Sequence, residues 1–340
     1  MTSMLFKQEH AMTAKQRTVS GMRPTGPLHI GHYFGALKNW VAMQDETEAF
    51  FFVADWHALT SDYADTSRIN EYVRDMVVDW LSVGLDPAKC AVYRQSEVKE
   101  TAELHLLLSM ITPLGWLERN PTYKEQQQEI TTKDLGNYGF LGYPVLMASD
   151  IIQHRPQWVP VGQDQLPHME LTREIVRRFN YLYGEVFPEP QARLTPAAKC
   201  PGLDGRKMSK SYGNGIFLKD TPADIEPKVK TMFTDPARLR RSDPGNPDVC
   251  NLFPYHVLMT APELQAEIRE GCTTATLGCV DCKKIFLRSL EAFLAPLHER
   301  RAAILARPGL VEEILMDGNA KARESVAETM RLVRTAMHLA

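Results

Sequence analysis

The 340-residue chain has the composition of a globular protein, with 44% hydrophobic and 24% charged residues and a formal net charge of −3. This slightly negative charge excludes nucleic-acid binding through net charge alone, so any such contact must come from local basic patches. No apolar run approaches the ~18 residues needed to cross a bilayer, and the N-terminus has no signal-peptide core, which predicts a cytoplasmic protein.

The first residues, 1–17, show neither strong periodicity nor an apolar face, and we expect a mobile extension. The next stretch, 18–40, predicts a strand, a turn rich in glycine and proline, and a helix that starts beside His29 and His32. Because residues three apart on a helix share a face, both imidazoles are expected to point the same way, next to a helix N-terminus that favours phosphate. Gly31 between them lets a flat ring such as adenine approach the backbone. In isolation, this pattern more often belongs to a capped helix with surface histidines.

Two further apolar runs, 49–55 and 91–93, predict buried strands on either side of an amphipathic helix at 68–85. This alternation predicts an α/β protein with a doubly wound parallel sheet, in which ligands bind at the carboxyl ends of the strands. The dinucleotide fingerprint GxGxxG and the P-loop GxxxxGK[ST] are both absent from the sequence. We expect the stretch at about 97–140 to be an insertion between the two halves of the sheet.

A second candidate phosphate site lies far downstream, in a loop rich in glycine, serine and asparagine. Its Lys207 and Lys210 provide two ammonium groups that can stabilise a leaving pyrophosphate. Alone, such a loop is more often a solvated basic surface. Together, His29-Ile-Gly-His32 and Lys207-Met-Ser-Lys-Ser211 resemble the paired signatures of class I aminoacyl-tRNA synthetases.

The resemblance implies a Rossmann-like catalytic domain whose connecting insertion contributes to a homodimer. It implies that His29 and His32 stabilise the α-phosphate region of ATP, and that Lys207 and Lys210 stabilise pyrophosphate together with Mg²⁺. The expected ATP site includes further residues from both signatures and from three other places: the first turn, the insertion and the end of a short strand at 159–161. These residues are Arg23, Pro24, Thr25, Gly31, Lys124, Gly162, Gln163, Asp164, Met208, Ser209 and Ser211. Arg23 departs from the glutamine that many family members have at this position.

A candidate amino-acid pocket lies in an apolar stretch that predicts a helix starting at Pro144 and containing Asp150. A buried aspartate needs a hydrogen-bond donor. When ionised it can only accept, whereas an indole N–H can only donate, so the two match. Met147, three residues earlier, would lie on the same helix face. In isolation, an aspartate exposed to water is the more common case. The segment resembles the pocket of tryptophanyl-tRNA synthetases, which implies that Asp150 reads the indole nitrogen while Tyr143 and Gln165 hold the polar end of tryptophan.

Four of the six cysteines follow the spacing C-x21-C-x6-C-x2-C and can converge on a metal: Cys250, Cys272, Cys279 and Cys282. Disulfides are disfavoured in a cytosolic enzyme. From ligand type alone, Zn²⁺ and an iron–sulfur cluster both suit four thiolates, and zinc is the more common. The segment resembles a subgroup of bacterial tryptophanyl-tRNA synthetases with a 4Fe-4S cluster in the anticodon-binding domain, although the first gap is one residue longer in that subgroup.

The chain is therefore expected to form a catalytic domain at 18–215 and a mainly helical, tRNA anticodon-binding domain at 216–340, where helices are predicted at 283–307, interrupted at Pro296, and at 318–340. The implied activity is the formation of tryptophanyl-adenylate from tryptophan and ATP, followed by transfer of tryptophan to tRNA(Trp). Three alternatives stay open: a tyrosyl-tRNA synthetase, a small-molecule nucleotidylyltransferase, and a catalytically silent paralogue that binds RNA or another protein.

Overall fold

The computed structural model describes residues 15–129, 135–195, 200–209 and 212–339. Its centre is a five-stranded sheet in the order β3-β2-β1-β4-β5, in which every neighbouring pair is parallel. The strands are β1 (Arg17–Met22), β2 (Glu48–Val53), β3 (Cys90–Arg94), β4 (Trp158–Val161) and β5 (Gln191–Leu194). The order changes direction at β1, so the predicted doubly wound α/β fold is confirmed, and ligands are expected beyond the carboxyl ends of β1 and β4.

Helices surround the sheet and make up most of the region after β5. The first group is α1 (Ile30–His32), which continues through a π-helical turn (Tyr33–Leu37) into α2 (Lys38–Glu46), then α3 (Asp55–Asp62), α4 (Ile69–Ser82), α5 (Glu100–Ser109), α6 (Leu114–Glu118), α7 (Pro121–Glu129), α8 (Tyr138–Ile152) and α9 (Leu166–Tyr183). The second group is α10 (Pro222–Thr231), α11 (Phe253–Met259), α12 (Pro262–Thr273), α13 (Cys279–Leu305) and α14 (Leu310–Ala336). None of the described helices has the length and apolar composition that a membrane span requires.

The hydrophobic core is divided by the sheet into two clusters. Successive side chains of a strand point to opposite faces, so Phe51 of β2 belongs to one cluster, while Phe50 and Phe52 belong to the other. Phe51 stacks on Trp40 of α2, with ring centroids 4.7 Å apart. This apolar filling on both faces explains why β2 reads as a continuous hydrophobic run.

Helix α14 covers the edge of the sheet at β3. A Cβ atom added to Gly318 would lie 1.8 Å from the carbonyl oxygen of Val92, so only glycine permits this approach. Next to it, the side-chain oxygen of Asn319 accepts a hydrogen bond of 2.9 Å from the backbone N–H of Arg94. A polar group at the end of an edge strand thereby has a partner from a helix far along the sequence.

Several predicted boundaries were wrong. Helix α8 begins at Tyr138, where Asn137 accepts a hydrogen bond from the backbone N–H of Phe140, and Pro144 lies inside the helix. Pro296 likewise lies within the continuous helix α13. Packing of these long helices against neighbouring elements outweighs the one hydrogen bond that each proline removes. Helix α3 and strand β5 were not predicted, because both are short and β5 has little apolar character.

Candidate active site

The first signature forms a turn and helix start after β1. His29 precedes α1, and its backbone N–H donates to Nδ1 of His32 at 3.1 Å. The two imidazole centroids are 3.7 Å apart, so the prediction that both rings share a face is confirmed. Two backbone hydrogen bonds, from Ile30 to the carbonyl of Ile216 and from Leu218 to that of Leu28, attach this turn to the segment after the lysine loop.

The two signatures meet at Gly31. A Cβ atom there would lie 2.9 Å from Nδ1 of His29 and 3.7 Å from Sδ of Met208. A side chain at this position would therefore crowd the His29 ring, and glycine avoids this contact. Within the loop, the side chain of Asn214 accepts from the backbone N–H of Ser209 and donates to the carbonyl of Lys207. The Lys207 side chain is exposed to solvent. Lys210 and Ser211, both predicted for ATP, lie outside the described residues.

A cavity of about 340 Å³ opens at the carboxyl ends of β1 and β4. Six of the residues predicted to bind ATP or tryptophan line it together: Arg23, Tyr143, Met147, Asp150, Gly162 and Gln165. The other described residues predicted for ATP do not line this cavity. Among them, Lys124 is exposed on α7, and Gln163 and Asp164 are exposed in a 3-10 turn after β4.

The buried carboxylate of Asp150 faces this cavity. Nε2 of Gln95 donates to both of its oxygens, at 2.9 and 2.7 Å, and Nε2 of His57 lies 2.7 Å from Oδ2. Burial raises the pKa of Asp150, and the hydrogen bonds from His57 and Gln95 act in the opposite direction. Neither Gln95 nor His57 was predicted as a site residue. Both follow the carboxyl ends of β2 and β3, which is the signal that could have identified them.

Tyr143 has a partner that the sequence did not indicate. Its hydroxyl lies 3.2 Å from Nε2 of His168 on α9. Burial lowers the pKa of His168 to about 4, so this imidazole is neutral at neutral pH, and burial raises the pKa of Tyr143. A neutral pair holds the tyrosine ring in place without adding charge to the cavity.

The four spaced cysteines lie near each other in the region of α12 and α13. Nη1 of Arg238 is 3.8 Å from Sγ of Cys279 and 4.0 Å from Sγ of Cys272, and Sγ of Cys282 is 3.3 Å from Nε2 of His256. Burial raises the pKa of Cys282 to about 12, and neighbouring cysteines add to that rise. Four thiols suit zinc or iron, but within the described part of the chain no three Cys, His, Asp or Glu residues are arranged to hold a metal ion.

A known protein family matches most of the length of this chain. The family model for tRNA synthetases of class I (W and Y) covers residues 11–295. The chain belongs to this family. The synthetase is 55% identical over 325 residues to tryptophan–tRNA ligase of Thermotoga maritima, which covers 95% of this chain and 99% of that protein. It is 44% identical over 393 residues to tryptophan–tRNA ligase of Aquifex aeolicus, across 95% of this chain and 100% of that protein.

Solved structures agree with the family assignment. A crystal structure of tryptophanyl-tRNA synthetase from Campylobacter jejuni, complexed with ADP and tryptophan, matches with a TM-score of 0.86 and 34% identity over 95% of this synthetase and 100% of that chain. A tyrosyl-tRNA synthetase from Archaeoglobus fulgidus has a TM-score of 0.65 at 22% identity, over 85% of this chain and 91% of that one, and shares the fold alone. The prediction of a class I aminoacyl-tRNA synthetase is confirmed.

Proposed function

We propose that this synthetase is a tryptophan–tRNA ligase. A carboxylate oxygen of tryptophan attacks the α-phosphorus of ATP, and the bond from that phosphorus to the bridging oxygen breaks, which gives tryptophanyl-adenylate and pyrophosphate. A ribose hydroxyl of the terminal adenosine of tRNA(Trp) then attacks the acyl carbon, and AMP leaves. The observation that carries the proposal is Asp150, a buried acceptor that faces the cavity beside Met147. The similarity to tryptophan–tRNA ligases along 95% of the chain supports it.

The amino-acid pocket in this proposal uses four side chains. Asp150 accepts from the indole N–H, and Met147, one helix turn earlier, packs against the ring. Tyr143, held by His168, and Gln165 bind the polar end of tryptophan. A phenol both donates and accepts, so a tyrosine pocket would need a further donor facing the cavity.

For ATP, His29 and His32 stabilise the α-phosphate, and Lys207 and Lys210 stabilise the developing charge on pyrophosphate. Mg²⁺, when bound, shares the charge of the phosphates. The remaining predicted contacts complete the site: Arg23, Pro24, Thr25, Gly31, Lys124, Gly162, Gln163, Asp164, Met208, Ser209 and Ser211. No nucleophilic side chain is required.

The test is amino-acid-dependent exchange between ATP and pyrophosphate without tRNA, in separate tryptophan and tyrosine reactions. We expect exchange with tryptophan alone, and a loss of about 100-fold in His32→Ala, from the missing phosphate contact. Exchange with tyrosine would reassign the pocket. If folded protein exchanged with neither, the silent paralogue would become the better interpretation.

We also propose that Cys250, Cys272, Cys279 and Cys282 bind a 4Fe-4S cluster, with Zn²⁺ as the alternative. The proximity of the four thiols and of Arg238, whose charge favours thiolates, supports this site. The bound group would link α12 to α13 within a tRNA-binding region at 216–340. Iron, sulfide and zinc analysis of anaerobically purified protein distinguishes the options. Absence of every metal would contradict this site. We propose structural support as its role, and a metal-free Cys279→Ser variant with full stability and full charging would contradict that role.

A further inference from the structure

The hydrogen bonds around Asp150 are completed by a residue that does not itself line the cavity. Gln95 is 0% exposed and stands behind Asp150, whereas His57 and Asp150 both line the cavity. An ionised carboxylate offers about four acceptor positions. Gln95 occupies two and His57 a third, which leaves about one acceptor position for a ligand.

The orientation of the Gln95 amide is determined from its other end. Its Oε1 accepts a hydrogen bond of 3.0 Å from the backbone N–H of Trp56, so its NH₂ group must face Asp150. The turn that carries Gln95 is itself attached to α3, because Asp55 accepts from Nε of Arg94 and from the backbone N–H of Ser96. These contacts fix Gln95 before any ligand binds.

We propose that Gln95 is a positioning and specificity-determining residue, which holds Asp150 so that its one remaining acceptor position selects an amino acid with a ring N–H. The inference rests on the proposed function and deepens it. Removal of a donor to a buried carboxylate leaves that charge unsatisfied, so Asp150 would take up a proton and become a poorer acceptor. A ligand without the N–H gains little from Asp150 and should be less affected.

Several other groups also act on the charge of Asp150. From α3, His57 bonds to Asp150 and the charge of Asp55 acts on it, and from β3 Tyr93 interacts with it electrostatically. The charge of His57 in turn acts on His105 on α5 and on His168 on α9. Gln95 differs from all of them because it does not titrate, so its replacement by an apolar residue changes the pKa of Asp150 without adding a new titration.

The experiment compares kcat/KM in pyrophosphate exchange for tryptophan and for benzothienylalanine, in which sulfur replaces the indole N–H. We expect Gln95→Met to lower the value for tryptophan about 10- to 100-fold, to narrow the preference for tryptophan, and to move the acid limb of its pH profile to higher pH. Gln44→Met is the matched control, because Gln44 is also buried and bonded to backbone groups, at Gly84 and Asp86. It should keep the wild-type preference.

A second variant covers the case in which Gln95→Met fails to fold. In Gln95→Glu, the introduced carboxyl group can still donate to Asp150 when it is protonated, whereas it repels Asp150 when it is ionised. Tryptophan use by this variant should therefore improve as the pH falls, opposite to the wild-type trend. An unchanged preference in Gln95→Met, or a wild-type pH trend in Gln95→Glu, overturns the proposal. No tryptophan exchange by the wild-type protein rejects the proposed function, and this assignment with it.

Discussion

His154, at the end of α8, is a fully buried imidazole whose two nitrogens both have partners. Nε2 lies 2.9 Å from the hydroxyl of Tyr93, Nδ1 lies 3.1 Å from Oγ of Ser325, and the ring stacks on Phe50. Burial lowers the pKa of His154 to about 3. The residue therefore joins β3, α8 and α14 in its neutral form.

This burial predicts acid sensitivity. The unfolded chain binds a proton at His154 below about pH 6.5, whereas the folded protein does not until about pH 3, so stability falls as the pH falls between these values. One such group contributes about 1.4 kcal/mol per pH unit. We expect His154→Phe to be less stable at pH 8. Its free energy of unfolding should also change less steeply with pH, by the equivalent of about one proton. Urea unfolding at pH values from 8 to 4 measures this pH dependence. The control is His338→Asn, at an exposed histidine, which should keep the pH dependence of the wild-type protein.

The residues of the site were predictable where chemistry follows a short spacing, and less so where it depends on packing. Helical periodicity placed His29 with His32, and Met147 with Asp150, on shared faces, and the resemblance to the family assigned their roles. His57 and His168 were missed, because each is a lone histidine whose partner comes from another helix. Pairings of this kind depend on how helices meet around the sheet, and periodicity does not describe that.

At the scale of elements, the contact of α14 with β3 depends on Gly318. An added methyl group would overlap the carbonyl oxygen of Val92, which is backbone and cannot rotate away. Gly318→Ala should therefore lower the free energy of unfolding by about 1–3 kcal/mol. Gly115→Ala is the control, because the nearest atoms to its added Cβ are 3.8 Å away, and it should be neutral or slightly stabilising. Equal melting temperatures for both variants would contradict this account.

Helix α13 connects the cysteine region to α4 through an ion-pair group. The guanidinium of Arg301 bonds to Asp79 and Asp75, and Lys219, which follows the lysine loop, donates to Asp75 at 2.8 Å. Burial raises the pKa of Asp79 to about 7, although Arg301 opposes the rise. The folded pKa lies above the unfolded value, so the contribution of Asp79 to stability is lost as the pH rises from about 4 to about 7.

We expect Arg301→Met to cost about 3 kcal/mol or more at pH 8, where it leaves a buried carboxylate without its cation, and clearly less at pH 5, where Asp79 carries a proton. Arg300→Met is the matched control, because Arg300 donates to the carbonyl oxygen of Ser82, which does not titrate. Its cost should be the same at both pH values. Denaturant titrations at pH 5 and 8 measure the free energy of unfolding of each variant. If Arg301→Met lost the same stability at both pH values, the role of Asp79 would be disproved.

At the scale of the whole molecule, a second copy of the chain is the expected partner. Four large apolar side chains on α5, at the starts of α6 and α8, and between α5 and α6 are more than half exposed: Leu106, Met110, Leu114 and Tyr138. Helix α8 contacts both α5 and α6, and large exposed apolar side chains on adjoining helices are typical of an interface. We predict that Met110→Asp shifts the protein from dimer to monomer in analytical ultracentrifugation. Tyr181→Asp, on exposed α9, should leave the dimer intact, and an unchanged dimer in both variants would exclude this surface.

The overall architecture was predictable because strand and helix periods alternate clearly, but the division at 216 stays a prediction. Of the mobile extension predicted at 1–17, residues 1–14 lie outside the described part of the chain, and its bound was too long, because Arg17 belongs to β1. No sequence pattern indicated that α14 would return to the sheet. The apolar face of α14 packs into the core cluster that contains Phe50 and Phe52, through residues such as Val326 and Met330. A long-range match of this kind has no local pattern.

The position of α14 also has a consequence during synthesis on the ribosome. Arg94 and its partner Asn319 are separated by 225 residues. At ordinary translation rates, β3 emerges roughly 10 to 45 s before the helix that covers it. For that interval the nascent chain exposes the edge of β3 to neighbouring chains. Helix α14 completes the sheet, but it is synthesised too late to cover this edge while the chain grows.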